Sequence, residues 1–226
     1  MFFIISSYLF FSKHGTKIST VITRMPSNPD YEPLGSQSSY RTVTKISTFS
    51  VGWFAQGCRR DDIDGLVNQL ENRLRFRFKK LPHMNFWIDA SCMYQPPPWS
   101  GHIGSHEAEI SNFVGHRRFK PWLTEVRDFL DNKEAELAET VGAYQDSLNI
   151  VVICRAGRNR SVSGKMVLDF IFSSLGYTTK PDGYLSKAGW HSCNHDICST
   201  CPSCIDMTPL KKTSLIEAFR IWSGLK

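Results

Sequence analysis

The sequence has no apolar run long enough to cross a bilayer, and it has no internal repeat. Its most apolar stretch, residues 1–11, is shorter than the roughly 20 residues that a transmembrane helix needs, and it has no basic start and no small-residue cleavage motif before Lys13. We therefore expect no membrane span. Residues 1–11 are either a targeting segment or a disordered start. Residues 12–40 are rich in Ser, Thr, Pro and Gly, so that 1–40 as a whole is predicted to be a disordered segment and linker.

Acidic residues are in short supply, since 21 Asp and Glu stand against 27 Lys and Arg. The formal charge of +6 and the isoelectric point near 9.0 favour phosphorylated or polyanionic partners. The sequence also lacks a motif that reads DNA bases and an aromatic-rich motif that stacks unpaired RNA bases. We expect a phosphorylated small molecule or RNA as the partner, and we do not expect the protein to read a DNA sequence. The sequence does not reveal the oligomeric state.

Strand and helix patterns alternate along residues 41–226, which we take as the folded domain. Short β-branched or apolar runs predict strands, and apolar residues at helical spacing predict helices. In chain order they are a strand over Thr42–Val51, a helix beginning at Asp61 or Asp62, a strand over Phe86–Ala90, a helix capped by Ser105, a helix over Pro121–Val141, a strand over Leu148–Ile153, a helix over Ser161–Leu175 and a C-terminal helix with a stripe of Leu215, Phe219 and Trp222. This order predicts an α/β domain with a mainly parallel sheet and flanking helices, whose ligands bind beyond the carboxyl ends of the strands.

The loop Cys154–Ser161 lies between the clearest predicted strand and a predicted helix. The first turn of a helix exposes unpaired N–H groups and the positive end of the helix dipole, and Gly157 lets the backbone curl round an oxyanion. Arg160 offers a bidentate guanidinium to phosphate, and Lys165 is expected to add positive charge nearby. The alternative is a tight turn with solvent-facing arginines. The predicted phosphate ligands are Arg155, Ala156, Gly157, Arg158, Asn159, Arg160 and Ser161.

This loop does not match a Walker A nucleotide-binding loop. Gly164 and Lys165 are followed by Met166 instead of Ser or Thr, and Asn159 stands where the first glycine should be. We therefore do not expect ATP or GTP hydrolysis by the Walker A mechanism.

The spacing Cys154-x5-Arg160-Ser161 resembles the active-site loop of the protein tyrosine and dual-specificity phosphatases. The resemblance implies that Cys154 attacks phosphorus, that Arg160 and the loop amides hold the phosphoryl oxygens, and that Ser161 assists the leaving thiol. It covers this loop alone, and Ile153 stands where the family usually has histidine. An upstream aspartate is the general acid in that family, and the candidates here are Asp89, Asp128 and Asp131.

A longer resemblance, over roughly residues 44–175, is to the C-terminal domain of the RapZ family of bacterial RNase adapter proteins. The segments that carry it, in order, are Thr48-Phe49-Ser50, Phe86-Trp-Ile-Asp89 with its proline-rich loop, His102-Ile-Gly104 and Cys154-x-x-Gly157-x-x-Arg160-Ser161-Val162. The resemblance implies a domain that binds RNA and a phosphorylated aminosugar and that regulates rather than catalyses. Family members also carry an N-terminal P-loop domain that has no counterpart in this sequence.

The same resemblance implies phosphate contacts by part of the loop, namely Arg155, Gly157, Asn159 and Arg160. Three positions depart from the family pattern. Ser91 stands where the family has a basic residue, Pro97 stands where it has a histidine, and Asn159 replaces the loop histidine. These departures do not support recognition of the same aminosugar.

The seven cysteines are an odd number, and four of them lie close together near the C-terminus. This distribution does not suit a disulfide framework, so we expect reduced thiols in a cytoplasmic compartment. Two-residue spacings let successive sulfurs point at one ion, which predicts a structural zinc site in an insertion at residues 184–206. An iron–sulfur cluster and unliganded thiols are the alternatives. The predicted zinc ligands are Cys193, Cys198, Cys201 and Cys204, with His191 or His195 as substitutes.

Three functions are compatible with these patterns. The leading hypothesis is a regulatory α/β module that binds a phosphorylated metabolite, a nucleotide or RNA at the loop 154–161. The second is a cysteine-dependent phosphatase with Cys154 as the nucleophile. The third is a zinc-stabilised interaction protein whose loop binds no phosphate.

Overall fold

A computed structural model describes residues 43–59, 63–93, 101–139, 147–180, 182–187 and 195–225. The side chains of residue 138 and of residues 195–197 are not part of this description. The predicted segment 1–40 and the proline-rich part of the loop after Asp89 lie outside the described residues.

Three parallel strands form one sheet in the described part of the chain. The strands β1 (Lys45–Gly52) and β2 (Phe86–Asp89) both pair with β3 (Ser147–Cys154), so the order is β1-β3-β2. Residues 150–153 of the central strand are completely buried, which explains why this strand reads as a continuous apolar run. The predicted parallel sheet is confirmed.

Helices cover both faces of this sheet. In chain order they are α1 (Ile63–Arg77), α2 (Glu107–Val114), α3 (Phe119–Glu139), α4 (Arg160–Ser174), α5 (His195–Thr200), α6 (Pro202–Ile205) and α7 (Pro209–Ser223). The buried leucines of α1 pack with Val51 and Ile153 on one face, and each contributes about 1.5–3 kcal/mol of burial free energy. On the other face, α2, α3, α4 and α7 surround Ile150 and Val152. The predicted α/β class is confirmed.

The neighbouring strands β1 and β3 are followed by helices on opposite faces, α1 after β1 and α4 after β3. Connections that leave neighbouring strands in opposite directions open a crevice at the carboxyl end of an α/β sheet, and ligands bind there. Gly52 and Cys154 are register partners at this end of the sheet. The topology therefore places the loop after Cys154 at this crevice.

The start of α2 differs from the prediction. Its N-cap is His106 rather than Ser105, because His106 has an extended backbone and its Nδ1 accepts the N–H of Ala108 at 3.2 Å.

In α7, Leu215 and Trp222 belong to the core, as their spacing predicts. No helix in the described ranges is both long and apolar enough to cross a membrane.

Candidate phosphate loop and metal cluster

Residues 155–159 connect β3 to α4 at the crevice, and α4 begins at Arg160. Ser163 is the residue whose N–H closes the first turn, by donating to the carbonyl of Asn159 at 2.9 Å. The N–H groups of residues 160–162 therefore have no acceptor within the helix. Because these groups carry the positive end of the helix dipole, an anion is stabilised beside them.

Asn159 does not cap the helix that it precedes. Asparagine is a favourable N-cap when its side-chain oxygen accepts an N–H of the first turn, but no such bond is present here. Its Oδ1 instead accepts from Arg158 Nε at 3.0 Å, and its Nδ2 donates to the carbonyl of His102 at 2.8 Å. The Asn159 side chain therefore ties the loop to the segment before α2 and leaves the first-turn N–H groups to another acceptor.

The carbonyl groups of the loop bond to two neighbouring segments. The pairs are Trp53 N to Cys154 O (3.1 Å), Phe54 N to Arg155 O (3.0 Å) and Gly104 N to Arg158 O (2.8 Å). In a trans peptide group the C=O and the N–H of the next residue point in opposite directions. The N–H groups of Arg155, Ala156 and Asn159 are therefore directed away from these two segments.

Two glycines allow the loop to approach the end of β1. A Cβ atom at Gly52 would lie 2.3 Å from the carbonyl carbon of Ala156 and 2.4 Å from the nitrogen of Gly157. Gly157 has a φ of 71°, a left-handed conformation that residues with a Cβ rarely adopt. A side chain at either position would push the loop away from the sheet.

Cys154 lies beneath the loop, and only 2% of the residue is exposed. Its Sγ is 3.1 Å from Ser161 Oγ and accepts the N–H of Gly157 at 3.3 Å. Ser161 is completely buried. The thiol is thus held between the loop and the first turn of α4, next to the groups predicted to bind phosphate.

The Arg160 side chain reaches across to the end of the neighbouring strand. Its Nη1 donates to the carbonyl of Ser91, two residues after β2, at 2.5 Å, and the residue is half-buried. A guanidinium group has five N–H donors in one plane. The bond to Ser91 therefore orients the group and leaves further donors for an anion.

Lys165 does not add charge at the loop surface, and this part of the prediction is corrected. Lys165 is completely buried, with its Nζ 2.5 Å from the carboxylate of Asp169 and 4.9 Å from the centre of the Tyr184 ring. The Thr48 hydroxyl also donates to Asp169, and burial raises the pKa of this carboxyl. Lys165 serves a buried ion pair, so the positive potential at the loop comes from the arginines and the helix end.

Asp89, at the end of β2, lies beside the end of β3 in the sheet. Its Oδ1 accepts the N–H of Ser91 at 2.7 Å. Partial burial raises the pKa of Glu125, and the nearby charge of Asp89 adds to this effect. The other two predicted acids, Asp128 and Asp131, are exposed on α3. Of the three aspartates, Asp89 is the one that the sheet brings to the edge where the loop begins.

A second group of ligating side chains joins the C-terminal helices to the segment before α2. The ligand atoms of His102, Cys198 and Cys204 lie within 4.8 Å of one another, and so do those of His102, His106 and Cys201. Cys198 and Cys204 are buried. These residues, which we call the metal cluster, could hold a metal ion.

The metal cluster contains three of the four predicted cysteine ligands. Cys193 and His191 lie outside the described residues, as does the side chain of His195. The spacing of the cysteines did not reveal His102 and His106, because His102 stands 102 residues before Cys204. The local signal that marks them is a pair of histidines four residues apart at the start of a predicted helix.

Close packing makes the Cys204 thiol hold its proton, because its pKa is raised. Burial raises the pKa of Cys204 to about 12, and the neighbouring Cys198 and Cys201 add to this effect. Burial also lowers the pKa of His106, with a further contribution from His102. A bound divalent cation would reverse the balance at the thiol, because it stabilises the thiolate directly, and it would favour a neutral imidazole as well.

Comparison of the chain with family models, curated proteins and solved structures gave no match. The resemblances to the RapZ family and to the phosphatases therefore stay predictions from the motifs. The function has to be inferred from the chemistry of the loop and of the metal cluster.

Proposed function

We propose that this protein is a regulatory α/β module that binds a phosphorylated metabolite, a nucleotide or an RNA backbone phosphate at the loop 154–161. The observation that carries the proposal is the start of α4, where the Asn159 side chain leaves the first-turn N–H groups uncapped and Arg160 is held in place by Ser91. Backbone N–H groups at a helix start, combined with a guanidinium group, are a common phosphate-binding arrangement.

The charge of the loop supports an anionic ligand. Arg155 is exposed and lies over the Phe54 ring with 5.5 Å between its guanidinium carbon and the ring centre, and Arg158 is half-buried. Together with Arg160 they place three guanidinium groups on six consecutive residues. This density of positive charge attracts phosphate and makes the attraction depend on salt concentration.

Buried polar atoms beside the loop support a polar ligand as well. Among the residues that the structure describes, Ser91 Oγ and Trp53 Nε1 are buried without a hydrogen-bond partner. The backbone carbonyl of Ser91 accepts from Arg160, and the backbone N–H of Trp53 donates to the carbonyl of Cys154. A buried polar atom without a partner costs about 1–3 kcal/mol, so a ligand that reaches these atoms would recover part of that free energy.

The RapZ resemblance adds the expectation of a regulatory role and of RNA or an aminosugar phosphate as the ligand. Ser91 and Asn159 replace residues that the family uses, and their side chains are neutral. We therefore infer that the phosphate is recognised as in that family and that the organic part of the ligand differs.

Titration calorimetry with inorganic phosphate, a ribonucleoside monophosphate and a short RNA tests the proposal. Arg160→Ala should lower the affinity about 10- to 100-fold, because a hydrogen bond to a charged group contributes about 1.5–3 kcal/mol. Arg220→Ala is the matched control, since it removes an exposed arginine at the end of α7. Equal affinities in the Arg160 variant and in the control would contradict the proposal.

A cysteine-dependent phosphatase is the second candidate, and the contacts of Cys154 Sγ with Gly157 N–H and Ser161 Oγ favour it. In this reaction the thiolate of Cys154 forms a bond to phosphorus while the ester P–O bond breaks. The leaving oxygen takes a proton from Asp89. Water then gives a proton to the Asp89 carboxylate and forms a P–O bond as the S–P bond breaks, which returns the thiolate and the protonated Asp89 and releases phosphate.

An assay with a generic aryl phosphate from mildly acidic to neutral pH decides between binding and hydrolysis. Turnover that Cys154→Ser abolishes, and that Cys92→Ser leaves unchanged, supports the phosphatase. Cys92 is the matched control because it is exposed and lies on the loop after β2. A chain that binds phosphate without any turnover is the regulatory module alone.

We propose zinc as the ion that suits the metal cluster, because thiolate and imidazole ligands are those that Zn²⁺ prefers. Four protein ligands leave no open position, so the role of the ion is structural. If metal analysis finds zinc and calorimetry finds no phosphate ligand, the third hypothesis, a zinc-stabilised interaction protein, replaces the first. Reduced thiols that bind zinc also fit the expected cytoplasmic compartment.

A further inference from the structure

The metal cluster and the phosphate loop meet at one short segment, residues 101–106. The ring of His102 belongs to the metal cluster, while its backbone carbonyl accepts from Asn159 Nδ2 in the loop. Gly104 donates its N–H to the carbonyl of Arg158, and its own carbonyl accepts from Ser163 Oγ at 2.8 Å. This segment, which we call the clamp, therefore contacts both sites.

We propose that His102, Cys198, Cys201 and Cys204 bind one zinc ion, and that this ion holds the clamp in the position that shapes the phosphate loop. The ligand set is independent of the proposed function. The effect on the loop rests on that function, because it concerns the affinity for phosphate.

The hydrogen bonds of the two histidines distinguish His102 from His106 as the ligand. A neutral imidazole has one nitrogen that accepts a hydrogen bond and one that carries the proton. Nδ1 of His106 accepts the N–H of Ala108, which places the proton on Nε2, so His106 would have to give up this bond to bind a metal. Nδ1 of His102 lies 3.5 Å from Cys204 Sγ. Ligand atoms around a tetrahedral zinc are about 3.5–3.8 Å apart, so this pair already has the separation of two zinc ligands.

The three cysteines lie in the segment of the two short helices, with Cys198 on α5, Cys204 on α6 and Cys201 between them. Cys201 precedes α6, and the N–H of Cys204 donates to its carbonyl at 2.9 Å, so one tight turn carries both sulfurs. Cys198 Sγ lies 3.7 Å from the carbonyl of Gly101, at the start of the clamp. His102 belongs to both groups of neighbouring ligand atoms, with Cys198 and Cys204 in one group and with Cys201 in the other. Separations of up to 4.8 Å within a group need to contract by about 1 Å to reach tetrahedral spacing, and binding of one ion also requires that Cys201 moves towards Cys198 and Cys204.

The charge around the cluster fits the same ligand set. A zinc ion with three thiolates and one imidazole carries one net negative charge. Lys211 is 1% exposed, and its Nζ donates to the carbonyls of Cys204 at 3.2 Å and Asp206 at 2.7 Å. A buried cation beside the cluster compensates this single negative charge. A set of four thiolates would give the site two negative charges.

The clamp and the loop are in close backbone contact at Gly104, where there is no room for a side chain. A Cβ atom at Gly104 would lie 2.0 Å from the carbonyl oxygen of Asn159 and 2.8 Å from the nitrogen of Ser163. A second link to the C-terminal helices, from Ser203 Oγ to the Glu107 carboxylate at 3.1 Å, does not involve the metal. We therefore expect loss of zinc to weaken phosphate binding about tenfold rather than abolish it.

The experiment uses the full chain with zinc, cobalt and inorganic phosphate as probes. His102→Ala should lower the zinc affinity at least about tenfold in competition with a chromogenic chelator. His116→Asn is the matched control, because His116 Nδ1 likewise accepts a backbone N–H, that of Arg118 at 3.2 Å, and the residue lies outside the metal cluster; it should keep one zinc per chain. His102→Cys should restore zinc binding and increase the sulfur-to-cobalt charge-transfer absorption. Phosphate affinity should fall about tenfold in His102→Ala and stay unchanged in the other two variants.

The measurements can refute the two parts of the proposal, the ligand set and the effect on the loop, independently. Full zinc affinity in His102→Ala overturns the ligand set and points to a fourth ligand elsewhere, such as Cys193. Loss of zinc with unchanged phosphate affinity overturns the effect on the loop. If the zinc-loaded wild-type chain binds no phosphate, the proposed function fails and the effect on the loop fails with it, while the zinc and cobalt measurements still decide the ligand set. Rescue by His102→Cys, with circular dichroism of each variant, separates a lost ligand from a chain that does not fold.

Discussion

Replacing Gly52 by alanine tests whether close packing of the loop on the end of β1 is needed for phosphate binding. The added Cβ would lie 2.3 Å from the carbonyl carbon of Ala156, whereas ordinary contacts begin at 3.4 Å. The backbone of Ala156 and Gly157 therefore has to shift by about 1 Å, because the contact is with main-chain atoms that no side-chain rotation can relieve. Overpacking of this kind destabilises a fold by about 1–3 kcal/mol.

The shift also moves the N–H groups of the loop relative to Arg160, which Ser91 holds from the other side. Charge and hydrogen-bonding groups are unchanged by this substitution, so any loss of affinity comes from their positions. We expect phosphate affinity to fall at least about tenfold, which corresponds to about 1.4 kcal/mol.

Urea denaturation gives the change in the free energy of unfolding, and titration calorimetry gives the phosphate affinity of the folded variant. Gly224→Ala is the matched control, because a Cβ at that position meets its nearest atoms at 3.6 Å and the backbone φ of −90° suits alanine. If Gly52→Ala keeps the stability and the affinity of the control, the close approach of loop and strand does not matter and the reasoning is refuted.

Two further substitutions test the packing that supports the loop. Lys165→Met leaves the Asp169 carboxyl buried without its cation and should destabilise the fold by about 3–5 kcal/mol at pH 8. Since the pKa of Asp169 is raised by burial, the loss should shrink as the pH falls and the carboxyl takes up a proton; equal losses at pH 4 and pH 8 in urea denaturation would contradict this. Thr208→Ala removes the N-cap of α7 and a bond to Glu107, so the melting temperature should fall by an amount equivalent to about 1 kcal/mol, while Thr208→Ser should preserve it.

The sheet and most helices could be predicted because their patterns are local. Residues 150–153 form an apolar run that suits a central parallel strand, and β3 extends over Ser147–Cys154, close to the predicted range. α4 begins at Arg160, one residue before the prediction. The cap of α2 was predicted wrongly, because the choice of His106 over Ser105 depends on which ring nitrogen meets Ala108 N–H.

The sequence by itself determined that a strand, a glycine-containing basic loop and a helix follow one another, because periodicity and turn chemistry act between residues that are near in the chain. Tertiary structure alone decided that Gly52 presses on the loop, that Lys165 faces the core, and that His102 meets Cys204. The residues in these contacts are between four and more than one hundred positions apart in the sequence. Which side chains meet depends on how the helices pack against the sheet. Packing, and not local pattern, therefore selects the residues that support the loop and those that surround the metal cluster.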